Sequence, residues 1–172
     1  MKCINQNCLY SKNGFKIINN IPIVIPFQKP DCIFEKKIFK KSQNLGYQFR
    51  YKNKLLLFIK KFKKFVEGNS EKSNLNFGYL INYLSNSSKI LIIGGGSKGS
   101  GMDDFYKFCK INNSEIESLD IYISENVTVI ADAHYLPFPN SSFNILIIQA
   151  VLEHVLNPQK VVSEINRVLK NK

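Results

Sequence analysis

Long apolar runs are absent from this sequence, and cysteines are few. No segment approaches the roughly 18 consecutive apolar residues of a membrane-spanning helix, and residues 1–8 do not have the pattern of a signal peptide. The four cysteines are too sparse and too irregularly spaced for the disulfide framework of a small secreted protein. We therefore expect reduced thiols and a cytoplasmic protein.

Acidic residues are scarce in the first part of the chain. Residues 1–69 contain 15 of the 24 Lys and Arg residues but only three of the 13 Asp and Glu residues, so this part carries a formal charge of +12 and the remainder −1. The basicity therefore belongs to whatever precedes the glycine-rich segment at 94–101. With 172 residues, 44% of them hydrophobic, the chain is long enough for one domain with its own core, or for a small domain and part of a larger one.

Residues 1–28 are predicted to form a small separate element. Two strand-like pieces, 15–18 and 21–27, flank Asn19-Asn20, which is a plausible turn, and the prolines of the second piece favour a place at a sheet edge. Cys3 and Cys8 have the loosest spacing of a zinc knuckle, but no second pair of ligands follows nearby. We expect two ordinary thiols and no bound metal.

Residues 29–87 are predicted to be a basic helical region. The apolar residues of 52–68 recur at helical spacing among lysines, and residues 74–85 form a second helical pattern that leads into an apolar run. The pattern favours a helix that packs on its own domain with a solvated lysine face. A non-catalytic basic module that binds nucleic acid or anionic lipid through Lys36–Lys64 is the alternative.

The remaining region, 88–172, is organised around an apolar strand that stops at three glycines. Residues 90–93 read as a buried parallel strand, and the glycines after it permit close approach of a ligand to the backbone. A helix over 102–110 follows, with Asp103 and Asp104 in its first turn. A second strand over 116–121 puts Asp120 at its carboxyl end, where a doubly wound fold positions a carboxylate to grip a ribose.

The glycine segment fits a dinucleotide fingerprint but not a nucleotide P-loop. Its G-x-G-x-x-G runs from Gly94 to Gly99, and Lys98 precedes a glycine instead of following one. Two nearby aspartates would oppose the charge of a pyrophosphate. The sequence therefore favours a cofactor without phosphates, such as S-adenosylmethionine, and leaves an NAD-type Rossmann protein as the alternative.

The residues after the second strand carry several motifs in order. A third strand, 127–131, runs into Asp132-Ala133-His134-Tyr135-Leu136-Pro137-Phe138; a fourth, 145–149, runs into Leu152-Glu153-His154-Val155; and the helix over 158–170 contains Glu164-Ile165-Asn166-Arg167. In these motifs, over residues 89–170, the chain resembles class I S-adenosylmethionine-dependent methyltransferases of the type 11 kind. Residues 1–27 resemble the zinc-ribbon-like extension that precedes some members.

The resemblance implies an α/β, Rossmann-like fold: a partial parallel sheet in the order 3-2-1-4 with helices on both faces, plus the N-terminal ribbon-like element. It also implies transfer of the sulfonium methyl group by an SN2 reaction that requires no dedicated nucleophile. We therefore name no catalytic residue and assign no catalytic role to His154 or His134. The implied cofactor-binding residues are Gly94, Gly95, Gly96 and Gly99 at the amino-acid end, Asp120 at the ribose, Asp132 and the N–H of Ala133 at the adenine, with Leu136 packing on the purine, and Gln149 facing the acceptor crevice.

Three departures from the family pattern accompany the resemblance. Ile92 stands where the first strand normally carries an acidic residue, and Asn144 replaces an aspartate. The chain also stops where the family continues with further strands, so we expect a fragment, a truncated reading frame or one half of a split protein. The fourth strand would then be an apolar edge that pairs with the missing half or with a second chain. The methyl acceptor, expected to be a small molecule, is not identified by the sequence.

Overall fold

The computed structural model describes Tyr10, residues 14–29, Cys32, residues 71–96 and residues 102–171. The predicted helix over 52–68, the pair Cys3 and Cys8, and the glycine-loop residues Lys98 and Gly99 lie outside these residues. The elements are β1 (Lys16–Ile18), β2 (Ile21–Val24), α1 (Glu71–Asn82), β3 (Lys89–Ile93), α2 (Met102–Ile111), β4 (Glu115–Asp120), β5 (Val129–Ala131), β6 (Ile145–Ile148), a 3-10 turn (Leu152–His154) and α3 (Pro158–Val168).

The strands form one sheet in the order β1-β2-β5-β4-β3-β6. Strands β3 to β6 are parallel, and β3 pairs with β4 on one side and with β6 on the other. Numbered among themselves, these four strands have the order 3-2-1-4, so the predicted order of the parallel strands is confirmed. Within the part of the chain that the structure describes, β6 pairs with β3 alone.

The two faces of β3 bury different parts of the core. Because successive side chains of a strand point to opposite faces, Ile90 and Ile92 pack with Phe77 of α1 and Phe105 of α2. Leu91 and Ile93 pack on the other face, in a cluster that also contains Val161 and Val168 of α3. Burying each of these aliphatic side chains contributes about 1.5–3 kcal/mol. Helices therefore cover both faces of the sheet, as predicted.

The N-terminal hairpin belongs to the main sheet and does not stand apart from it. Asn19 and Asn20 both have positive φ, 51° and 64°, as in the two-residue turn that fits the twist of a hairpin. The turn is therefore confirmed. Strand β2 also pairs in parallel with β5, so it joins the hairpin to the sheet. The remaining boundaries, at 29–87 and 88–172, stay predictions.

The expectation that its prolines would place β2 at an edge was wrong. Strand β2 lies between β1 and β5, and Pro22 faces Ile17 of β1. In an antiparallel hairpin closed by two residues, the pair next to the closing pair exchanges no hydrogen bonds. The pairing with β5 begins only at Ile23. The missing N–H of Pro22 therefore costs the sheet no hydrogen bond.

Helices α1 and α3 end earlier than their sequence patterns predict. The N–H groups of Tyr83 and Leu84 bond to carbonyls three residues back, which tightens the end of α1. The carbonyls of Arg167 and Val168 accept N–H groups from residues 141–143, so the chain leaves α3 at Val168 instead of continuing to Lys170. In the described residues, none of the helices has both the length and the apolar character needed to cross a membrane.

Candidate functional site

The candidate residues gather at the edge of the sheet that is formed by the carboxyl ends of its parallel strands. Gly94 follows β3, Asp120 ends β4, Asp132 follows β5 and Gln149 follows β6. These strands are parallel, so their carboxyl ends meet at the same edge. In open α/β sheets this edge is where ligands bind.

The glycine turn is fastened to the end of β4 by three successive backbone groups. Gly94 and Gly95 both donate to the carbonyl of Leu119, at 2.8 and 3.2 Å. Gly96 donates to Oδ2 of Asp120 at 2.8 Å. The N–H groups of the first three glycines are therefore satisfied within the protein and hold the turn against β4.

Close packing explains two of these glycines. Gly94 has a φ of +82°, and a Cβ there would overlap the side chain of Val151 and come 3.6 Å from the carbonyl oxygen of Gln149. A Cβ on Gly95 would overlap Oγ of Ser118. That hydroxyl is buried and has no hydrogen-bond partner among the described residues. The turn thus fits between the ends of β4 and β6 only without side chains.

Asp120 is half-buried, and backbone donors hold its carboxylate. In addition to the bond from Gly96, its Oδ1 accepts the N–H of Tyr122 at 3.1 Å. Burial raises the pKa of Asp120 above its ordinary value, and the bonds from the N–H groups of Tyr122, Gly96 and Ile121 oppose that shift. A carboxylate oxygen has the capacity for two hydrogen bonds. The side chain therefore retains the capacity to accept hydroxyl groups of a ligand.

Asp132 is 4% exposed, and it is bonded to the residue two positions later. Its Oδ1 accepts the backbone N–H of His134 at 2.9 Å and lies 2.6 Å from Nδ1 of the same residue. Nε2 of His134 accepts the N–H of Asn157, the N-cap of α3, at 3.2 Å. His134 is therefore buried and engaged at both ring nitrogens.

Two residues that sequence reasoning did not select hold the loop after β5. Arg167 of α3 donates to the carbonyls of Leu136 and Phe138, at 2.9 and 2.8 Å, and to Oδ1 of Asn140 at 2.9 Å. It also binds both carboxylate oxygens of Glu164, at 2.7 and 2.8 Å, and Glu164 accepts the N–H of Leu136 at 2.8 Å. The Glu-Ile-Asn-Arg motif thus fixes a loop that is distant in sequence.

The charges of this pair depend on each other. Burial acts to raise the pKa of Glu164, but the hydrogen bonds from Arg167 and Leu136, with the charges of Arg167 and Lys160, bring that pKa below its ordinary value. The hydrogen bond to Glu164 raises the pKa of Arg167. Glu164 is therefore a carboxylate held in a largely buried position by its partner.

The remaining candidates have varied surroundings. Ala133 is buried next to Asp132, and Gln149 is exposed at the end of β6. His154 is exposed in the 3-10 turn. Leu136 packs in the core cluster that faces α3, so its side chain does not lie open at the edge as expected for packing on a purine.

Of the two departures inside the domain, only the one at Asn144 keeps polar contacts in place of the carboxylate. Ile92 is buried against α1 and α2, so β3 offers no carboxylate at that position. Oδ1 of Asn144 accepts the N–H of Lys89 at 2.9 Å and Nζ of Lys170 at 3.2 Å, which ties the start of β6 to β3 without a negative charge. Among the residues described, no group of three His, Cys, Asp or Glu side chains could hold a metal ion.

The four parallel strands, in the order 3-2-1-4, define a Rossmann-like α/β domain. A glycine turn follows the first of these strands, and carboxylates lie at the ends of the next two. Residues 95–172 match the model of the methyltransferase domain family. This segment carries most of the motifs of the resemblance, and the match confirms the predicted methyltransferase domain there. No curated protein matches the chain significantly.

Solved structures that are similar to part of this chain include two proteins of different origin. YcgJ from Bacillus subtilis is 25% identical, with a TM-score of 0.43, over 55% of this chain and 46% of its own. Phosphoethanolamine N-methyltransferase 2 from Haemonchus contortus, solved with S-adenosylhomocysteine, is 20% identical, with a TM-score of 0.46, over 59% of this chain and 26% of its own. The chain spans less than half the length of either protein.

Proposed function

We propose that the edge formed by the ends of β3, β4 and β5 binds S-adenosylmethionine and that the chain serves methyl transfer to a small-molecule acceptor. One observation carries the proposal. Gly96 of the glycine turn donates to Asp120 at the end of β4, and the buried Asp132 lies at the end of the adjacent strand, β5. Two carboxylates thus lie at neighbouring strand ends beside a closely packed turn.

The hydrogen bonds of the turn favour a cofactor without phosphates. A pyrophosphate bound at a glycine loop is held by backbone N–H groups that point at it. In this turn the N–H groups of Gly94, Gly95 and Gly96 are directed to Leu119 and Asp120. This arrangement supports S-adenosylmethionine over the NAD-type alternative.

Each candidate residue has a role that suits its chemistry. Asp120 accepts both ribose hydroxyls, because a carboxylate makes strong charge-assisted hydrogen bonds. Asp132 accepts the adenine amino group, and the N–H of Ala133 donates to a ring nitrogen. Gly94, Gly95, Gly96 and Gly99 close over the amino-acid end, and Gln149 faces the acceptor.

The cofactor supplies a methyl group on a positively charged sulfur, which leaves with the electron pair of the broken C–S bond as the acceptor forms its new bond to carbon. The contribution of the protein is orientation and exclusion of water. We place this activity in the cytoplasm. We also propose that a partner chain pairs with the edge of β6. The alternative of a basic binding module rests on Lys36–Lys64, which lie outside the described residues.

Isothermal titration with S-adenosylhomocysteine and with NADH tests the proposal. We expect the wild-type chain to bind S-adenosylhomocysteine and to bind NADH far more weakly. Asp120→Asn removes a charged acceptor and is expected to lower the affinity about tenfold or more. Glu117→Gln is the matched control, because Glu117 is an exposed carboxylate on the same strand whose side chain bonds to Thr128.

Two results would contradict the proposal. One is tighter binding of NADH than of S-adenosylhomocysteine. The other is an equal loss of affinity in the Asp120 and Glu117 variants, because binding would then depend on the general charge of β4 and not on its carboxyl end.

A further inference from the structure

The chain contains a buried hydrogen-bonded series that crosses from the candidate adenine site to α3. It runs from the carboxylate of Asp132, through the ring of His134, to the backbone N–H of Asn157. Asp132 and His134 are 4% and 1% exposed. A buried polar series of this kind is costly unless its members are satisfied.

The partners of the ring determine which nitrogen carries the proton. Nε2 accepts a hydrogen bond from the N–H of Asn157, so this nitrogen has no proton. Nδ1 lies 2.6 Å from a carboxylate oxygen, and a carboxylate only accepts, so Nδ1 is the donor. The ring is therefore neutral, with its proton directed at Asp132.

Both donors from His134 reach the same oxygen of Asp132. The backbone N–H and the ring Nδ1–H converge on Oδ1, at 2.9 and 2.6 Å. Two bonds on one oxygen fix the rotation of the carboxylate about its own axis. Such fixation by a second group is the way that binding residues are held in a productive geometry.

We propose that His134 is a positioning residue for the adenine site. By holding Oδ1 of Asp132, it keeps the other carboxylate oxygen oriented to accept the exocyclic amino group of the cofactor. The bond from Asn157 to Nε2 fixes the tautomer that makes this possible. This inference rests on the proposed function, because it requires that the ligand at Asp132 be an adenosyl group.

Two substitutions separate the two bonds of the ring. His134→Asn carries its amide nitrogen at the position of Nδ1, so it can still donate to Asp132 but cannot reach Asn157. His134→Gln carries its amide one bond further out, near Nε2, so it can accept from Asn157 but no longer donates to Asp132. Each loses one buried hydrogen bond and part of the ring volume, so a merely structural effect should be similar in both.

The readout is a comparison of two ligands by titration calorimetry. S-adenosylhomocysteine has the 6-amino group, and S-inosylhomocysteine has an oxygen in its place. We expect the wild-type chain to prefer the amino compound. His134→Gln should reduce the affinity for S-adenosylhomocysteine about tenfold while changing that for S-inosylhomocysteine by less than about twofold, and His134→Asn should keep the preference of the wild type.

Nitrogen NMR of the wild-type chain provides a test that needs no variant. The Nδ1 proton of His134 should be present without ligand, and its resonance should move on addition of S-adenosylhomocysteine and much less on addition of the inosine compound.

The outcomes distinguish this inference from the proposed function. Failure of the wild-type chain to bind S-adenosylhomocysteine would overturn both. Two results would overturn the positioning role alone. In one, both His134 variants keep the preference of the wild type for the amino group. In the other, both variants lose affinity for the two ligands to the same extent. If neither variant folds, an Nδ1 resonance that responds equally to the two ligands would also overturn that role.

Discussion

The two halves of the candidate site are built by different means. On the side of β3 and β4, the backbone N–H groups of three glycines hold the turn to Leu119 and Asp120. On the side of β5, side chains hold the loop: His134 bonds to Asp132, and Arg167 reaches the carbonyls of Leu136 and Phe138 from α3. The first side depends on glycines without side chains and on one carboxylate, that of Asp120, whereas the second depends on several charged and polar side chains.

This difference determines which substitutions should destabilise each side. A turn packed without Cβ atoms is sensitive to added volume, because close-packed sites cannot absorb a methyl group without shifting. A loop held by a largely buried ion pair is sensitive to the loss of one partner, because a charge then remains in a poor environment. Added volume should therefore destabilise the turn, and removal of a charge should destabilise the loop.

Removal of Arg167 should have the largest effect. Arg167→Met leaves the carboxylate of Glu164 without its partner and frees two loop carbonyls. Breaking a buried pair in this way costs about 3–5 kcal/mol, and we expect about 3 because Arg167 is 31% exposed at its side chain. Urea unfolding of the variant and the wild type measures the change.

The double variant Glu164→Leu, Arg167→Met is the control for that experiment. It leaves no unpaired charge, so it should lose less stability than Arg167→Met alone. If the double variant is less stable than the single one, the lost stability arises from lost contacts with the loop and not from the unpaired carboxylate of Glu164.

Volume added to the turn should have the next largest effect. Gly95→Ala brings its methyl group onto Oγ of Ser118, and overpacking of this kind costs about 1–3 kcal/mol. In a Ser118→Ala background the nearest atom of that residue is its Cβ, at 3.3 Å from the added one. The cost of Gly95→Ala should therefore be smaller there, as a double-mutant cycle would measure.

The same cycle contains its own check. Ser118→Ala alone removes a buried hydroxyl that has no partner among the described residues, so it should be neutral or slightly stabilising. Equal costs of Gly95→Ala in the two backgrounds would show that contact with Ser118 does not determine the requirement for glycine.

The dependence of stability on pH should have opposite signs on the two sides, with the smallest effects. Glu164 has a lowered pKa in the folded protein, so its contribution to stability is present above the ordinary value of about 4.3 and is lost as the pH falls through the lower folded value. Asp120 has a raised pKa, because burial disfavours its charged form; its cost is present at higher pH and disappears as the pH falls through the raised value.

Unfolding in urea between about pH 3 and 6 measures both signs. As the pH falls, the advantage of the wild type over Glu164→Gln should shrink, while its stability relative to Asp120→Asn should improve. A change of the same sign for both carboxylates would contradict the contrast between the two sides.

The elements that sequence patterns predict well are those with strong local signals. The apolar run at 90–93 is the buried part of β3, and the helix predicted over 102–110 is α2 with one further residue. The two asparagines indicated the hairpin turn. The place of that hairpin in the sheet was not predictable, because β2 joins β5 through only two residue pairs, and the members of each pair are far apart in sequence.

The site divides in the same way. The sequence placed Gly94 and Asp120 after successive strands of one sheet, because a strand, a glycine turn and a helix form a local unit. Glu164 and Arg167 look in the sequence like an ordinary i,i+3 pair on a helix surface. Their contact with the loop at 136–140 depends on how α3 packs, which no local pattern encodes.

Amide chemical-shift mapping with S-adenosylhomocysteine tests the central claim most directly. The account predicts that the largest shifts fall on residues 94–96, 120–122 and 132–134, at the carboxyl ends of β3, β4 and β5. Shifts confined to the opposite edge of the sheet or to the β1–β2 hairpin, or no shifts at saturating ligand, would contradict it.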